Sequence, residues 1–100
     1  MSTVTVRMKV KPDSHDTFLR ILEDVTAAVK DNEPDCFVYA TWKTSTPFEY
    51  VMVESYRSEA GREFHNATHA AVAPEFMACL VEPPEVEVLG DVLFGTATPL

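Results

Sequence analysis

The sequence of this 100-residue chain predicts an α+β fold of the ferredoxin-like type, a four-stranded antiparallel sheet with its helices on one face. Residues 3–11 alternate apolar and polar side chains, as a strand does. Residues 18–29 repeat apolar side chains every third and fourth position, as an amphipathic helix does. The whole pattern reads strand, helix, strand, strand, helix, strand, the βαββαβ order of that fold. Its length predicts one domain over residues 1–100.

The first strand and helix have clear limits. Pro12 ends the strand, and Asp13 or Ser14 is expected to cap the helix that follows. The helix should run for about four to five turns before the turn Glu33-Pro34-Asp35. The apolar face of the strand comprises Val4, Val6, Met8 and Val10, and that of the helix comprises Phe18, Ile21, Leu22, Val25, Ala28 and Val29.

Two further strands form a predicted hairpin. Cys36–Lys43 is rich in aromatic and β-branched residues, residues 44–47 make a turn, and residues 48–57 alternate again. Alternation predicts which side chains share a face. On the second strand, one face carries Phe37, Tyr39 and Thr41, and the other carries Val38, Ala40 and Trp42. On the third strand, one face carries Met52, Glu54 and Tyr56, and the other carries Val51, Val53 and Ser55.

A second helical region and a last strand complete the pattern. Ser58 has the character of a helix N-cap, and Pro74 should divide the helical region into two pieces. Pro83-Pro84 stops it, and Glu85–Leu89 is the fourth strand. The expected inward stripe of the first helical piece comprises Ala60, Phe64, Ala67 and Ala71.

The sheet face without helices predicts a partner. Apolar side chains recur on that face, and a second copy of the chain would bury them without new secondary structure. We therefore expect a homodimer. The tail, residues 90–100, contains Val92, Leu93 and Phe94 and is expected to contact the partner.

Charge and composition exclude several classes of function. The formal net charge of −8 disfavours nucleic acid and anionic membranes, because phosphate binding needs clustered cations. No apolar run approaches the ~20 residues that span a bilayer, and the N-terminus lacks the pattern of a signal peptide. We expect a cytoplasmic protein in which Cys36 and Cys79 are buried free thiols.

Acid–base side chains are densest in residues 51–69. Glu54 and Tyr56 lie on the third strand, and His65 and His69 follow four residues apart on one helix face. The spacing is also that of a zinc motif, but Asn66 stands where such a motif has its glutamate, and no third ligand is evident nearby. The residues therefore favour a site without metal.

Several positions along the chain form a pattern: Glu33-Pro34-Asp35-Cys36, Tyr39, Glu54-Ser55-Tyr56, Glu59-Ala60 and His65. This pattern resembles that of a known family, the antibiotic biosynthesis monooxygenase domain. The resemblance runs from Val4 to about Leu89. Asp35 stands where the family has glycine, and Ala67-Thr68-His69 replaces its Ser/Thr-Pro-His.

The resemblance implies a dimeric α/β barrel and a small enzyme. Some members oxygenate polycyclic phenols or quinols with molecular oxygen and neither metal nor flavin, one branch degrades haem, and another isomerises a phosphorylated sugar derivative. Residues that the haem-degrading branch uses are absent here. Membership therefore predicts fold better than chemistry.

We expect a cofactor-free monooxygenase that takes a small aromatic substrate and molecular oxygen. His65 would be the base, since an imidazole can accept a phenolic proton near neutral pH, with Tyr39 and Tyr56 as orienting hydroxyls. The alternative for His65 is a structural hydrogen bond inside the sheet–helix interface. Other expected substrate contacts are Trp42, Asn66, His69, Arg7 and Glu54.

Two of these contacts, Trp42 and Glu54, have a structural alternative. For Trp42, packing in a core or dimer interface is favoured over stacking on a substrate. Glu54 would pair with Arg7 or Arg57 if buried. Two other functions stay open. An isomerase or tautomerase would need a polar pocket reached by Arg7 or Lys9, whereas a non-catalytic dimeric binding module would have a closed core.

Overall fold

The computed structural model describes residues 1–97 and confirms the ferredoxin-like fold. Its four strands are antiparallel in the order β2-β3-β1-β4, and the helices pack on one face. The last residues of the predicted contact tail, 98–100, lie outside the described residues. The elements are β1 Ser2–Lys9, α1 His15–Asn32, β2 Cys36–Lys43, β3 Glu49–Tyr56, α2 Glu59–Thr68, α3 Ala73–Ala78 and β4 Glu85–Leu89, with a short 3-10 turn at Pro12–Ser14 before α1.

The core lies between the central strands and α1. Register pairs Val4 with Glu54 and Met8 with Tyr50, so the even-numbered residues of β1 and β3 face the helices, as the alternation predicts. Phe18 of α1 is fully buried and stacks on Tyr50. Apolar residues from three elements thus form one cluster, which includes Met8, Val10, Phe18, Ile21, Tyr50 and Met52.

The prediction that Phe37 shares a face of β2 with Tyr39 is wrong. The ladder with β3 shifts between Cys36 and Val38, because a bulge there places one extra residue on β2. Phe37 leaves the Tyr39 face and lines a groove on the helix-free side of the sheet with Val38. The bulge leaves Tyr39 opposite Glu54, on the helix side.

The predicted inward stripe of α2 is also wrong. Its members are all exposed, and Phe64 retains 55% of its accessible surface. The opposite side of the helix faces the sheet and buries His65, with His69 half-buried one turn later. Because buried polar groups are hydrogen-bonded, these inward-facing imidazoles need hydrogen-bond partners between the helix and the sheet.

The turn between α1 and β2 is fastened to the start of α2. Ser58 is the N-cap of α2, as predicted, and its Oγ accepts from the backbone N–H of Gly61. The Ser58 hydroxyl also donates to Asp35 Oδ2 at 2.7 Å, and the Arg57 N–H donates to the Asp35 carbonyl at 2.8 Å. Ser14, by contrast, occupies the N-cap of α1 without a side-chain bond.

Gly61 makes the close approach of Asp35 feasible. A Cβ at Gly61 would lie 1.9 Å from Asp35 Oδ2. We expect Gly61→Ala to lower the free energy of unfolding by about 1–3 kcal/mol, because overpacking forces neighbouring groups to move. Adding Asp35→Gly should restore part of that loss, which urea unfolding of both single variants and the double variant measures. Additive effects in this cycle would show that the two positions do not interact.

The other face of the sheet has no helix on it. Val51 and Val53 are half-buried there, and Trp42 retains 53% of its accessible surface. In the tail, Leu93 and Phe94 are almost fully exposed. Over residues 1–97, the structure has no helix that is both long and apolar enough to cross a membrane.

A Glu-His-His cluster at the polar end of an apolar cavity

A cavity of about 430 Å³ lies between the sheet and the helices. This volume falls in the range of sites that take small organic ligands. The polar groups of the lining, Tyr39, Glu54, Asn66 and His69, come from β2, β3 and α2 and the residue that follows it. The apolar part of the wall includes Val6, Ile21, Leu22, Val25, Met52 and Phe76.

A buried carboxylate joins the two histidines beside this cavity. Glu33, with 5% of its surface exposed, follows the last residue of α1, where its N–H donates to the Val29 carbonyl. Its Oε1 lies 2.9 Å from His65 Nδ1, and its Oε2 lies 2.8 Å from His69 Nε2. The two imidazoles occupy successive turns of α2, and one carboxylate therefore holds both.

A second carboxylate lies on the far side of His65. The Tyr56 hydroxyl donates to Glu54 Oε1 at 2.6 Å, and the same oxygen is 3.7 Å from His65 Nε2. The ring of Tyr39 packs against His65 with 5.2 Å between centroids. His65 is therefore enclosed by two carboxylates and two phenols, with only 7% of its surface exposed.

Burial and these carboxylates set the protonation of the phenols. Burial raises the pKa of Tyr39 well above its usual range, and the neighbouring Glu54 carboxylate raises it further. The pKa of Tyr56 rises for the same reasons, through burial and through its hydrogen bond to Glu54. Both phenols are thus neutral hydrogen-bond donors near neutral pH.

The cysteine next to the cluster is unreactive by the same argument. Burial, together with the Glu33 and Glu54 carboxylates, raises the pKa of the Cys36 thiol to about 11. The thiolate is the nucleophilic form, so Cys36 stays a weak nucleophile at neutral pH. Both cysteines are free thiols, as the sequence predicts, although Cys36 is only half-buried.

The structure brings together four of the predicted site residues and places two more behind them. Tyr39, Glu54, Asn66 and His69 line the cavity. Tyr56 is fully buried and His65 nearly so, and neither is part of the cavity wall. His69 is therefore the imidazole that a molecule in the cavity would meet, although the sequence pattern favours His65.

Arg7 and Trp42 do not reach the cavity. The residues of β1 that face the helices are even-numbered, so Arg7 lies on the opposite face, in a shallow groove with Glu85 and Glu87. Trp42 pairs with Val51 on that same face. Arg7 also cannot be the partner expected for Glu54, whose carboxylate contacts Tyr56 and His65 instead.

Sequence reasoning missed the role of Glu33. The residue is part of the Glu33-Pro34-Asp35-Cys36 turn, but nothing local connects it with histidines 32 and 36 positions later. One signal was present, because a glutamate flanked by a proline turn and an apolar strand is a candidate for burial. A buried carboxylate then requires partners.

Glu33 also supplies the third ligand that the sequence does not show. One atom each from Glu33, His65 and His69 lie within 4.8 Å of one another, and two imidazoles with a carboxylate suit zinc or iron. In the structure, each of these nitrogens is hydrogen-bonded to the carboxylate. The lack of a third ligand, one of the two reasons for expecting no metal, is therefore wrong within residues 1–97, and the metal-free protein stays a prediction.

The fold and this cavity define a class: a small ferredoxin-like protein with an apolar pocket and an acid–base cluster at one end. A family model for antibiotic biosynthesis monooxygenase matches residues 1–78. The chain belongs to this family. A search of the curated proteins gives no match to it.

Solved structures agree with the family assignment. A Caulobacter crescentus protein assigned to the antibiotic biosynthesis monooxygenases is 28% identical, with a TM-score of 0.83 over 91% of this chain and 89% of that one. A structure described as antibiotic biosynthesis monooxygenase is 22% identical, with a TM-score of 0.81 over 92% and 99%. A Mycobacterium tuberculosis protein is 21% identical, with a TM-score of 0.84 over 95% and 98%. The last two similarities show the shared fold alone.

Proposed function

We propose that this protein is a monooxygenase that oxidises a phenolic or quinol-type aromatic molecule with molecular oxygen, without metal or flavin. The observation that carries the proposal is the cavity of about 430 Å³, whose wall is mainly apolar and whose one polar end holds an imidazole and a neutral phenol. A flat, uncharged aromatic molecule with a hydroxyl at one end matches that distribution.

The proposed reaction needs a base and a dry pocket. His69 takes the proton of the substrate hydroxyl, and the electron-rich anion passes one electron to oxygen. The two radicals combine at a ring carbon to form a C–O bond, and the resulting peroxide anion takes back the proton held by His69. Loss of water, which includes the hydrogen of that ring carbon, then leaves a carbonyl. One oxygen atom enters the product and the other leaves as water, so no external reductant is consumed. The protein binds, deprotonates and excludes water.

The lining also separates this proposal from the isomerase alternative. A phosphorylated substrate requires cations, because phosphate is bound by arginine or lysine. Within residues 1–97, no lysine or arginine lines the cavity, and Glu54 lies in its wall. Arg7 and Lys9, the cations considered for that role, belong to the other face of the sheet. The distribution of charge therefore favours a neutral substrate.

Oxygen uptake on a panel of anthrones and dihydroxynaphthalenes tests the proposal. We expect consumption with at least one of them and one carbonyl formed per oxygen molecule. Val25→Phe adds a ring inside the cavity and should lower kcat/KM at least about tenfold, since it occupies the volume of the substrate. Thr26→Phe adds the same ring to an exposed position of α1 and should not. No uptake with any compound, or equal activity of the two variants, would contradict the proposal.

We also propose a homodimer through the helix-free face of the sheet. The half-buried Val51 and Val53 and the exposed Trp42 support it, because an apolar face of this kind usually has a partner. In the tail, Phe94 keeps 91% of its surface exposed in the single chain. This arrangement is the dimeric α/β barrel expected for the family.

Truncation after Leu89 is expected to weaken this dimer. Leu93 and Phe94 are each worth ~1.5–3 kcal/mol when buried, so their removal should raise the dimer dissociation constant at least about tenfold. Light scattering with dilution, on the full chain and the truncated chain, measures the change. A monomer mass for the full chain at micromolar concentration would refute the dimer, and equal dissociation constants would refute the role of the tail.

A further inference from the structure

Glu33 is buried and does not line the cavity, yet it contacts the one imidazole that does. We propose that Glu33 is a positioning residue for His69, and that it carries out this role while anchored to His65. The inference rests on the proposed function in that His69 is taken as the base. The arrangement of carboxylate and imidazoles stands on its own geometry.

The carboxylate determines which nitrogen of His69 is available. One carboxyl group carries at most one proton, and when ionised it accepts from both imidazoles. His69 then carries its hydrogen on Nε2, the atom 2.8 Å from Glu33 Oε2. Its Nδ1 is left without a hydrogen and is the nitrogen that can take a proton from a molecule in the cavity. A base that is oriented by a third group is the general form of such sites.

The structure also shows what restrains the Glu33 carboxylate. Pro34 follows it, and the Cys36 N–H donates to the Glu33 carbonyl at 3.1 Å, so the backbone turns tightly there. Its second oxygen, Oε1, is bonded to His65 Nδ1. Because both oxygens are hydrogen-bonded, the carboxylate has one orientation. That orientation in turn sets the orientation of the His69 ring at the end of α2.

The contact between Glu33 and His69 also favours proton transfer from the substrate. When the substrate O–H bond breaks and the proton joins His69 Nδ1, the ring becomes a cation whose Nε2–H already points at a carboxylate. The charge forms next to an existing opposite charge in a buried setting, which lowers the energy of the transition state. His65 lies between Glu33 and Glu54 and contributes through Glu33.

Glu33→Gln is the most informative variant. The amide has the same shape as the carboxylate, but only one of its two terminal atoms can accept a hydrogen bond, so it cannot accept from both imidazoles. We expect kcat to fall by about 10²-fold or more, with KM changed less than about threefold, since Glu33 does not line the cavity. Asp35→Asn is the matched control, the same chemical change in the same turn. Its amide oxygen can still accept from Ser58, and kcat should stay close to wild type.

A second measurement does not depend on turnover. In ¹⁵N-histidine-labelled wild type, two-bond ¹H–¹⁵N spectra at a pH where His69 is neutral should show its proton on Nε2. Glu33→Gln should shift the ring toward a mixture of tautomers, whereas Asp35→Asn should not. An Nδ1-protonated His69 in wild type, or an unchanged tautomer or kcat in Glu33→Gln, would overturn the inference. If wild type oxidises no compound of the panel while the tautomer result holds, the oxygenase proposal fails and the positioning role stands.

Discussion

His69→Gln is expected to lower turnover of the aromatic substrate by about 10²–10⁴-fold, the usual contribution of a general base. Glutamine keeps an N–H that can donate to Glu33, and so it spares the buried carboxylate the loss of its partner. It has no nitrogen that takes up a proton. The variant therefore separates the loss of a base from the loss of a structural bond.

Two matched histidine variants make this result specific. His65→Gln should cost less than His69→Gln, because His65 lies outside the cavity wall and acts through Glu33. His15, which is bonded to the Tyr50 hydroxyl at the other end of the sheet, serves as the control, and His15→Gln should keep normal turnover. Oxygen uptake by the three variants and wild type, with folding checked by circular dichroism, is the measurement. If His69→Gln retained full activity, His69 would not be the base.

Phe18→Ala is expected to lower the free energy of unfolding by about 3–5 kcal/mol, the usual loss for a large ring removed from a core. Phe18 is fully buried, and its ring packs against Tyr50 at 5.3 Å and Phe76 at 5.5 Å between centroids. Phe76 is part of the cavity wall, and the vacancy would loosen that wall. A loss of substrate affinity should accompany the loss of stability.

The neighbouring residue provides the control for this prediction. Leu19→Ala removes a side chain of similar character that is exposed on the same helix, and we expect a loss below about 1 kcal/mol. Urea unfolding of both variants should be compared at one protein concentration, because dimer formation makes apparent stability depend on it. Equal losses for the two variants would show that the core does not centre on Phe18.

The periodicity of the sequence was enough to predict the elements. The alternation of β1 and β3, the stripe of α1 and the cap at Ser58 all appear in the structure. Each of these depends on residues that are neighbours along the chain, so local spacing carries the information. The same reasoning correctly predicted two helical pieces, which the structure shows as α2 and α3, with Pro74 in the first turn of α3.

Where local spacing was ambiguous, the prediction was wrong. The composition of β2 does not show the bulge between Cys36 and Val38, because the pairing with β3 creates it. In α2, spacing shows that His65 and His69 share one face and that Phe64 lies on another. It does not show which of the two faces is buried, because polar side chains can be buried when partners meet them.

The sequence by itself thus determined the fold, the two faces of the sheet and the concentration of acid–base groups around α2. Only the tertiary structure decided which of those groups form the site. Glu33 reaches His65 and His69 across 32 and 36 residues, a contact that exists because the residue that follows α1 lies beside α2. Arg7 is not part of the site, because it lies on the face of the sheet opposite the cavity. Long-range packing of this kind leaves no periodic trace in the chain, because the residues that meet belong to different elements.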